Sequence, residues 1–95
     1  MGEIEDRYVG EAVHSKEISG LSNQFLPKFE SEFATFCGVK HGAAVNSGTT
    51  AIHLAIATLG IGHGDEVLVS SLTNMATFFA VLYQGARPIP IDSEA

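Results

Sequence analysis

Apolar residues near the start of the chain recur at three- and four-residue intervals. This spacing predicts a helix over residues 3–16 and places these residues on one face: Ile4, Tyr8, Val9, Ala12 and Val13. Residues 17–27 interrupt the periodicity with serine, glycine and asparagine, which predicts a loop. A second helix is predicted from Pro27, with phenylalanines on one stripe, and Gly38 supplies its C-terminal stop.

After Gly38, short apolar runs alternate with helical patterns. Strands are predicted over residues 41–46, 66–70 and 87–92, and helices over residues 49–59 and 75–83. This order is typical of a βαβαβ unit with a parallel sheet, so the predicted fold class is α/β. The strands show little polar alternation, as expected when helices cover both faces. We therefore expect a helical lead-in over residues 1–40 and a βαβαβ unit over residues 41–92.

A parallel sheet of three strands leaves apolar edges and faces uncovered. The third predicted strand ends three residues before the last residue, so no further element follows to shield the sheet. We therefore expect the 95 residues to be the incomplete N-terminal portion of one larger domain.

Composition narrows the classes of function. The formal net charge is -6, which disfavours binding to a phosphodiester backbone. Cys37 is the only cysteine, so no internal disulfide can form, and its place near the end of an aromatic helix predicts a small buried apolar residue. No signal-peptide core and no stretch of ~20 apolar residues is present, so we expect a cytoplasmic protein without a membrane span.

The segment Asn46-Ser47-Gly48-Thr49-Thr50 lies where a predicted strand gives way to a helix. The first N–H groups of a helix have no internal partners, and the helix dipole adds positive charge, so this turn can hold an anion such as phosphate. Gly48 would allow close approach, and the neighbouring hydroxyls could donate. The alternative is that Ser47 or Thr49 only caps the helix. The turn alone leaves both interpretations open.

Five short segments, in order, resemble the DegT/DnrJ/EryC1/StrS sugar aminotransferases. They are Phe29-Glu30 with Glu32-Phe33, Ser47-Gly48-Thr49, Gly64-Asp65-Glu66-Val67, Thr73 with Ala76-Thr77, and Gly85-Ala86 before Asp92. The resemblance covers about residues 18–92. It implies pyridoxal 5′-phosphate as cofactor, the large domain of a fold-type I (aspartate aminotransferase-like) enzyme, and a homodimer.

The resemblance also implies roles for particular residues. Gly48 and Thr49 should donate to the cofactor phosphate, with Ser47 and Thr50 close by. The family usually has an aromatic residue directly after the threonine of the later segment, where it stacks on the pyridine ring. This chain has Asn74 there, which could bind the cofactor or substrate, or simply cap the next helix. Phe78 and Phe79 follow at helical spacing, which favours core packing over stacking.

No catalytic residue is assigned within the chain. The resemblance implies a lysine that holds the cofactor and a carboxylate beside its ring nitrogen, both beyond residue 95. Lys16, Lys28 and Lys40 do not match that lysine position. The 95-residue chain alone is therefore expected to be inactive.

Three functions stay open at this stage. The first is a sugar-nucleotide aminotransferase, which moves an amino group from an amino acid to a keto-sugar nucleotide. The second is a sugar 3-dehydratase of the same family, in which histidine replaces the lysine. The third is a truncated, non-catalytic α/β module.

Other polar residues indicate no further chemistry. The histidines lack metal-ligand spacing, so no metal site is predicted from His14, His41, His53 and His63. His53 is expected to be a partly exposed helix residue. The segment 62–65 most simply forms a turn, and Asp65 and Glu66 are not an acid/base pair because successive strand residues point to opposite faces.

Overall fold

The computed structural model describes residues 2–16 and 24–93. The helices are α1 (Glu3–Ser15), α2 (Phe25–Cys37), α3 (Gly48–Thr58) and α4 (Met75–Tyr83), and the strands are β1 (Glu66–Ser70) and β2 (Arg87–Ile91). The mixed helix and strand content confirms the predicted α/β class. The chain divides into two compact units, Met1–Ala44 and Val45–Ala95. This division lies close to the boundary predicted at residue 40, although the predicted domain assignment itself stays a prediction.

The first unit contains α1 and α2. The predicted helix over residues 3–16 is confirmed as α1, whereas α2 begins two residues before Pro27. Pro27 lies in the first turn of α2, where a missing N–H removes no helical hydrogen bond. Gly38 ends α2 with φ of 72°, as predicted for a C-terminal stop. The rest of the predicted loop, residues 17–23, lies outside the described residues.

Most of the aromatic stripe of α2 is solvent-exposed within the described chain. Phe29 stacks on Phe33 with ring centroids 5.5 Å apart, and Phe33 stacks on Phe36 at 6.3 Å. Only Ala34 of this helix is buried. Cys37 is also exposed, so its predicted burial is wrong. A periodic pattern identifies the apolar face of a helix, but it does not show what covers that face.

The strand predicted over residues 41–46 is wrong. Hydrogen-bonded strand pairing in the described part of the chain joins only β1 and β2. Residues 42–44 are glycine and alanine, which are depleted in strands because they offer little side chain to pack. Gly42 instead lies against α2, since a Cβ at this position would be 2.7 Å from the Glu30 carbonyl oxygen.

In the second unit, β1 and β2 pair in parallel, with Glu66 opposite Arg87 and Ser70 opposite Ile91. Their predicted bounds are confirmed to within one residue, as are those of α3 and α4. Helix α4 connects the strands. One core contains buried residues of α4, of α3, of β1 and of the loop before β2: Ala80, Val81, Ile56, Val69 and Ala86. Leu68 points to the opposite sheet face and is 68% exposed.

The parallel pairing of the strands fixes the direction of the helix that connects them. Residues 59–65 carry the chain from the end of α3 to the start of β1, and residues 84–86 carry it from the end of α4 to the start of β2. Helix α4 therefore ends near the amino edge of the sheet, and its N-terminus points towards the edge where the strands end. In parallel sheets this carboxyl edge is where ligands bind.

Two smaller predictions for this unit are confirmed. His53 is half-buried on α3, and its Nε2 lies 2.9 Å from Gln84 Oε1. Gly62 and Asp65 form a turn, in which the Gly62 N–H donates to Asp65 Oδ2 at 2.8 Å.

Candidate functional site

The junction at Ser47 begins α3 with a conventional side-chain cap. Ser47 has an extended backbone, with φ of -159° and ψ of 160°, and its Oγ accepts from the Thr50 N–H at 3.2 Å. Its carbonyl oxygen accepts the first helical bond, from the Ala51 N–H at 3.0 Å. The capping interpretation of Ser47 is therefore confirmed, and the remaining donors of the turn decide whether it can also hold a ligand.

A chain of hydroxyl groups supports this cap. Thr50 Oγ1 donates to Asn46 Oδ1 at 3.1 Å and lies 2.9 Å from Ser47 Oγ. Each hydroxyl has a single proton. Because the Thr50 proton is directed to Asn46, the Ser47 proton is directed to Thr50. Both hydroxyls therefore hold the turn in shape and have no proton left for a ligand in this arrangement.

The two residues between Ser47 and Thr50 carry hydrogen-bond donors that are not used within the turn. The backbone N–H groups of Gly48 and Thr49 have no acceptor within the described residues, and neither does the Thr49 hydroxyl. Gly48 and Thr49 are the first two residues of α3, at the positive end of the helix dipole. The turn thus offers up to three unpaired donors to an anion.

The fold itself does not require glycine at position 48. Its φ is not positive, and a Cβ placed there would meet no atom of the chain within 4 Å. In a helix, alanine is more favourable than glycine. The open space above Gly48, next to two unpaired N–H groups, is instead what a closely approaching phosphate requires.

Within the second unit, the positive charge at the turn comes from main-chain N–H groups and the α3 dipole, and not from lysine or arginine. Arg87 is the single lysine or arginine between residues 45 and 95. It begins β2 at the amino edge of the sheet, where its Nη1 lies 3.6 Å from Glu66 Oε1. The residues of this unit can therefore bind phosphate through N–H and O–H donors and the α3 dipole, without a cationic side chain.

Asn74 caps α4, so the capping alternative for this residue is confirmed. Its Oδ1 accepts from the Ala76 N–H at 2.9 Å, which leaves the side-chain NH₂ as a donor at the carboxyl edge. Phe78 packs against the core as predicted. Phe79 does not, because it is 43% exposed and stacks on Tyr83 at 6.2 Å.

Sequence reasoning singled out the turn but not every residue that shapes it. It did not single out Asn46 as the acceptor that orients the hydroxyls, although the spacing of four residues to Thr50 is a usable signal. It also did not predict the contact between Ser71 and Asp92, whose side chains meet at 3.2 Å beyond the strand ends. That contact depends on the parallel register, which a sequence does not display.

The fold and this turn define an α/β protein with unpaired main-chain donors at the N-terminus of α3. The whole chain, residues 1–95, matches the DegT/DnrJ/EryC1/StrS aminotransferase family, and the protein belongs to that family. In the part of the chain that the structure describes, no helix has the length and apolar character needed to cross a membrane.

Individual relatives agree with this assignment. GDP-perosamine synthase of Caulobacter vibrioides is 48% identical over 87 residues, which are 92% of this chain and 23% of that protein. An aminotransferase from Psychrobacter cryohalolentis superimposes with a TM-score of 0.88 at 33% identity, over 99% of this chain and 24% of the other. The chain thus spans about a quarter of the length of these relatives.

A dehydratase shares the same fold. The structure of E. coli GDP-4-keto-6-deoxy-D-mannose-3-dehydratase with bound hydrated PLP gives a TM-score of 0.84 at 25% identity. It matches 99% of this chain and 25% of the dehydratase.

Proposed function

We propose that this chain is the N-terminal portion of the cofactor-binding domain of a pyridoxal-phosphate-dependent sugar-nucleotide aminotransferase. The full protein would move an amino group from an amino acid onto a keto-sugar nucleotide. One observation carries the proposal: the N–H groups of Gly48 and Thr49 at the start of α3 have no acceptor within the described residues, and a Cβ added to Gly48 would meet no atom within 4 Å. Membership of the aminotransferase family supports the reaction class.

In this proposal the Ser47–Thr50 turn holds the cofactor phosphate. The Gly48 and Thr49 N–H groups donate to phosphate oxygens, and the Thr49 hydroxyl adds a third donor. Ser47 and Thr50 contribute indirectly, because their hydroxyls and Asn46 fix the angle at which the N–H groups emerge. Donors held in place before binding lose little entropy when the anion arrives.

Asn74 is the proposed contact at the cofactor ring. It offers NH₂ donors in place of an aromatic face, so it can hydrogen-bond to the ring substituents or the substrate but cannot stack. The bound cofactor supplies an electron sink for the amino-group transfer. In this proposal the lysine that completes the site comes from outside this chain, because none of Lys16, Lys28 and Lys40 matches the lysine position of the resembled family.

The test uses the full-length protein that contains this chain. We expect titration with pyridoxal 5′-phosphate to give a saturable visible absorbance band, and inorganic phosphate to compete for the site. Incubation with glutamate should convert the bound cofactor to its amine form, and a keto-sugar nucleotide should reverse the change. Absence of cofactor binding would contradict the proposal.

The dehydratase is the second candidate, because the match to the dehydratase structure is nearly as good as that to the aminotransferase. The two reactions differ in product. An aminotransferase yields an amino sugar, whereas a dehydratase yields a deoxy sugar that carries no new amino group. Mass spectrometry of the product, together with the identity of the downstream residue as lysine or histidine, decides between them.

We also propose a homodimer, as the family resemblance implies, and a cytoplasmic location, as expected from the sequence. Sedimentation equilibrium of the full-length protein tests the dimer, since a monomeric mass at micromolar concentration would refute it. Fractionation of the source cells tests the compartment.

A further inference from the structure

Three contacts join the carboxyl ends of the two strands just beyond the sheet. The Ser71 N–H donates to the Ile91 carbonyl oxygen at 2.7 Å. The Ser71 hydroxyl donates to Asp92 Oδ1 at 3.2 Å, and Ser70 Oγ lies 2.7 Å from Ser93 Oγ. The side chains of residues 92 and 93 thus anchor the loop that leaves β1.

This loop, residues 71–74, has no hydrophobic anchor of its own. Leu72 is 87% exposed, so burial does not hold the segment in place. Hydrogen bonds hold both ends instead. Ser71 is tied to the end of β2, and the Leu72 N–H donates to Ser70 Oγ at 3.3 Å. At the other end, Asn74 caps α4 through the Ala76 N–H at 2.9 Å. The position of Asn74 at the carboxyl edge therefore depends on where Ser71 is held.

We propose that Asp92, acting through Ser71, is a positioning residue that sets the placement of Asn74 beside the cofactor ring. This inference rests on the proposed function. Asp92 itself does not touch the cofactor; its carboxylate accepts from the Ser71 hydroxyl and fixes the first residue of the loop. When this bond is lost, the loop samples a wider range of positions, and the bound ring loses a defined neighbour.

The test measures cofactor affinity and visible circular dichroism of the full-length protein loaded with pyridoxal 5′-phosphate. The sign and amplitude of the dichroism report ring orientation, which a loss of stability alone does not change. Asp92→Ala and Ser71→Ala should each weaken cofactor binding roughly three- to tenfold, the effect of one net hydrogen bond. Both should reduce the dichroism, and the double variant should be no worse than either single one.

Two variants separate positioning from general destabilisation. Asp92→Asn keeps an oxygen acceptor for Ser71 and should restore affinity and dichroism. Thr58→Ala removes a comparable exposed hydroxyl bond, to the Leu54 carbonyl oxygen at 2.7 Å, at the other end of the unit. It should leave both readouts unchanged.

Each outcome has one meaning. If the unaltered protein fails to bind the cofactor, the proposed function is wrong and the inference falls with it. If the protein binds the cofactor but Asp92→Ala matches it in affinity and dichroism, only the positioning role is overturned. Equal losses in Asp92→Ala and Asp92→Asn would also overturn it. Ser71→Ala keeps its backbone bond to Ile91 and decides the question if Asp92→Ala does not fold.

Discussion

Replacing Gly48 by alanine should stabilise the fold and weaken cofactor binding at the same time. The added methyl group meets no atom of the chain within 4 Å, and the φ of Gly48 is not positive, so the folded state accepts it without strain. Alanine also restricts the unfolded chain. The expected gain in the free energy of unfolding is about 0.5 kcal/mol, near the low end for glycine-to-alanine changes because Gly48 is the first helical residue.

The loss of affinity follows from the same open space. The methyl group occupies volume that a phosphate would use to reach the Gly48 N–H, and at least one hydrogen bond to a charged oxygen is lost. Such bonds contribute about 1.5–3 kcal/mol, so cofactor affinity should fall by roughly 10- to 100-fold. The opposite signs distinguish a binding role from a structural one.

Urea denaturation of the full-length apoprotein measures the first effect, and titration with pyridoxal 5′-phosphate measures the second. Gly10→Ala is the matched control, because Gly10 lies inside α1 and its added Cβ also meets nothing within 4 Å. It should stabilise the protein by about 1 kcal/mol and leave cofactor affinity unchanged. If Gly48→Ala binds the cofactor as tightly as the unaltered protein, the phosphate assignment of this turn is refuted.

Three further predictions follow from the described contacts. Asn74→Ala removes the α4 cap and should lower the free energy of unfolding by about 1 kcal/mol, whereas Asn74→Asp keeps the cap and should remain close to the parent in urea denaturation; equal losses would contradict the capping role. Val81→Ala creates space in the core and should destabilise by about 2 kcal/mol, while Val13→Ala, at a position that is 70% exposed, should change the urea midpoint little. Arg87→Gln breaks only an exposed ion pair and should shift stability by less than about 0.5 kcal/mol, so a larger loss in the same assay would show that the pair with Glu66 is stronger than its exposure suggests.

The sequence predicted the elements that depend on local pattern and failed where a distant partner decides the outcome. Helix α4 and strand β1 carry their own periodicity, caps and turns, so their bounds were predictable. The strand at residues 41–46 was not, because a strand exists only with a neighbour to pair with. Cys37 and Phe79 show the same limit for burial, since an apolar residue is buried only if another element covers it.

The residues of the candidate site could be singled out from the sequence, but the hydrogen bonds that they make could not. The cluster of hydroxyl residues around Gly48 was compatible with an anion site or a helix cap, and its three hydroxyl side chains looked equivalent in the sequence. The structure separates them, because the Ser47 and Thr50 hydroxyls donate within the turn, whereas the Thr49 hydroxyl has no acceptor among the described residues. The N–H groups of Gly48 and Thr49 also stay unpaired there. Such a choice depends on distances of a few tenths of an ångström, which spacing along the chain does not specify.

The unpaired donors at the start of α3 are main-chain groups, and this affects how the turn responds to mutation. Alanine scanning removes side chains and leaves every N–H in place, so a scan of Thr49 would report only the contribution of its hydroxyl and methyl groups. Replacement of the Thr49 amide by an ester, through chemical ligation, would delete the donor itself while keeping the side chain. Natural substitutions at this position are likewise unable to abolish that donor, with the exception of proline, whose nitrogen carries no hydrogen.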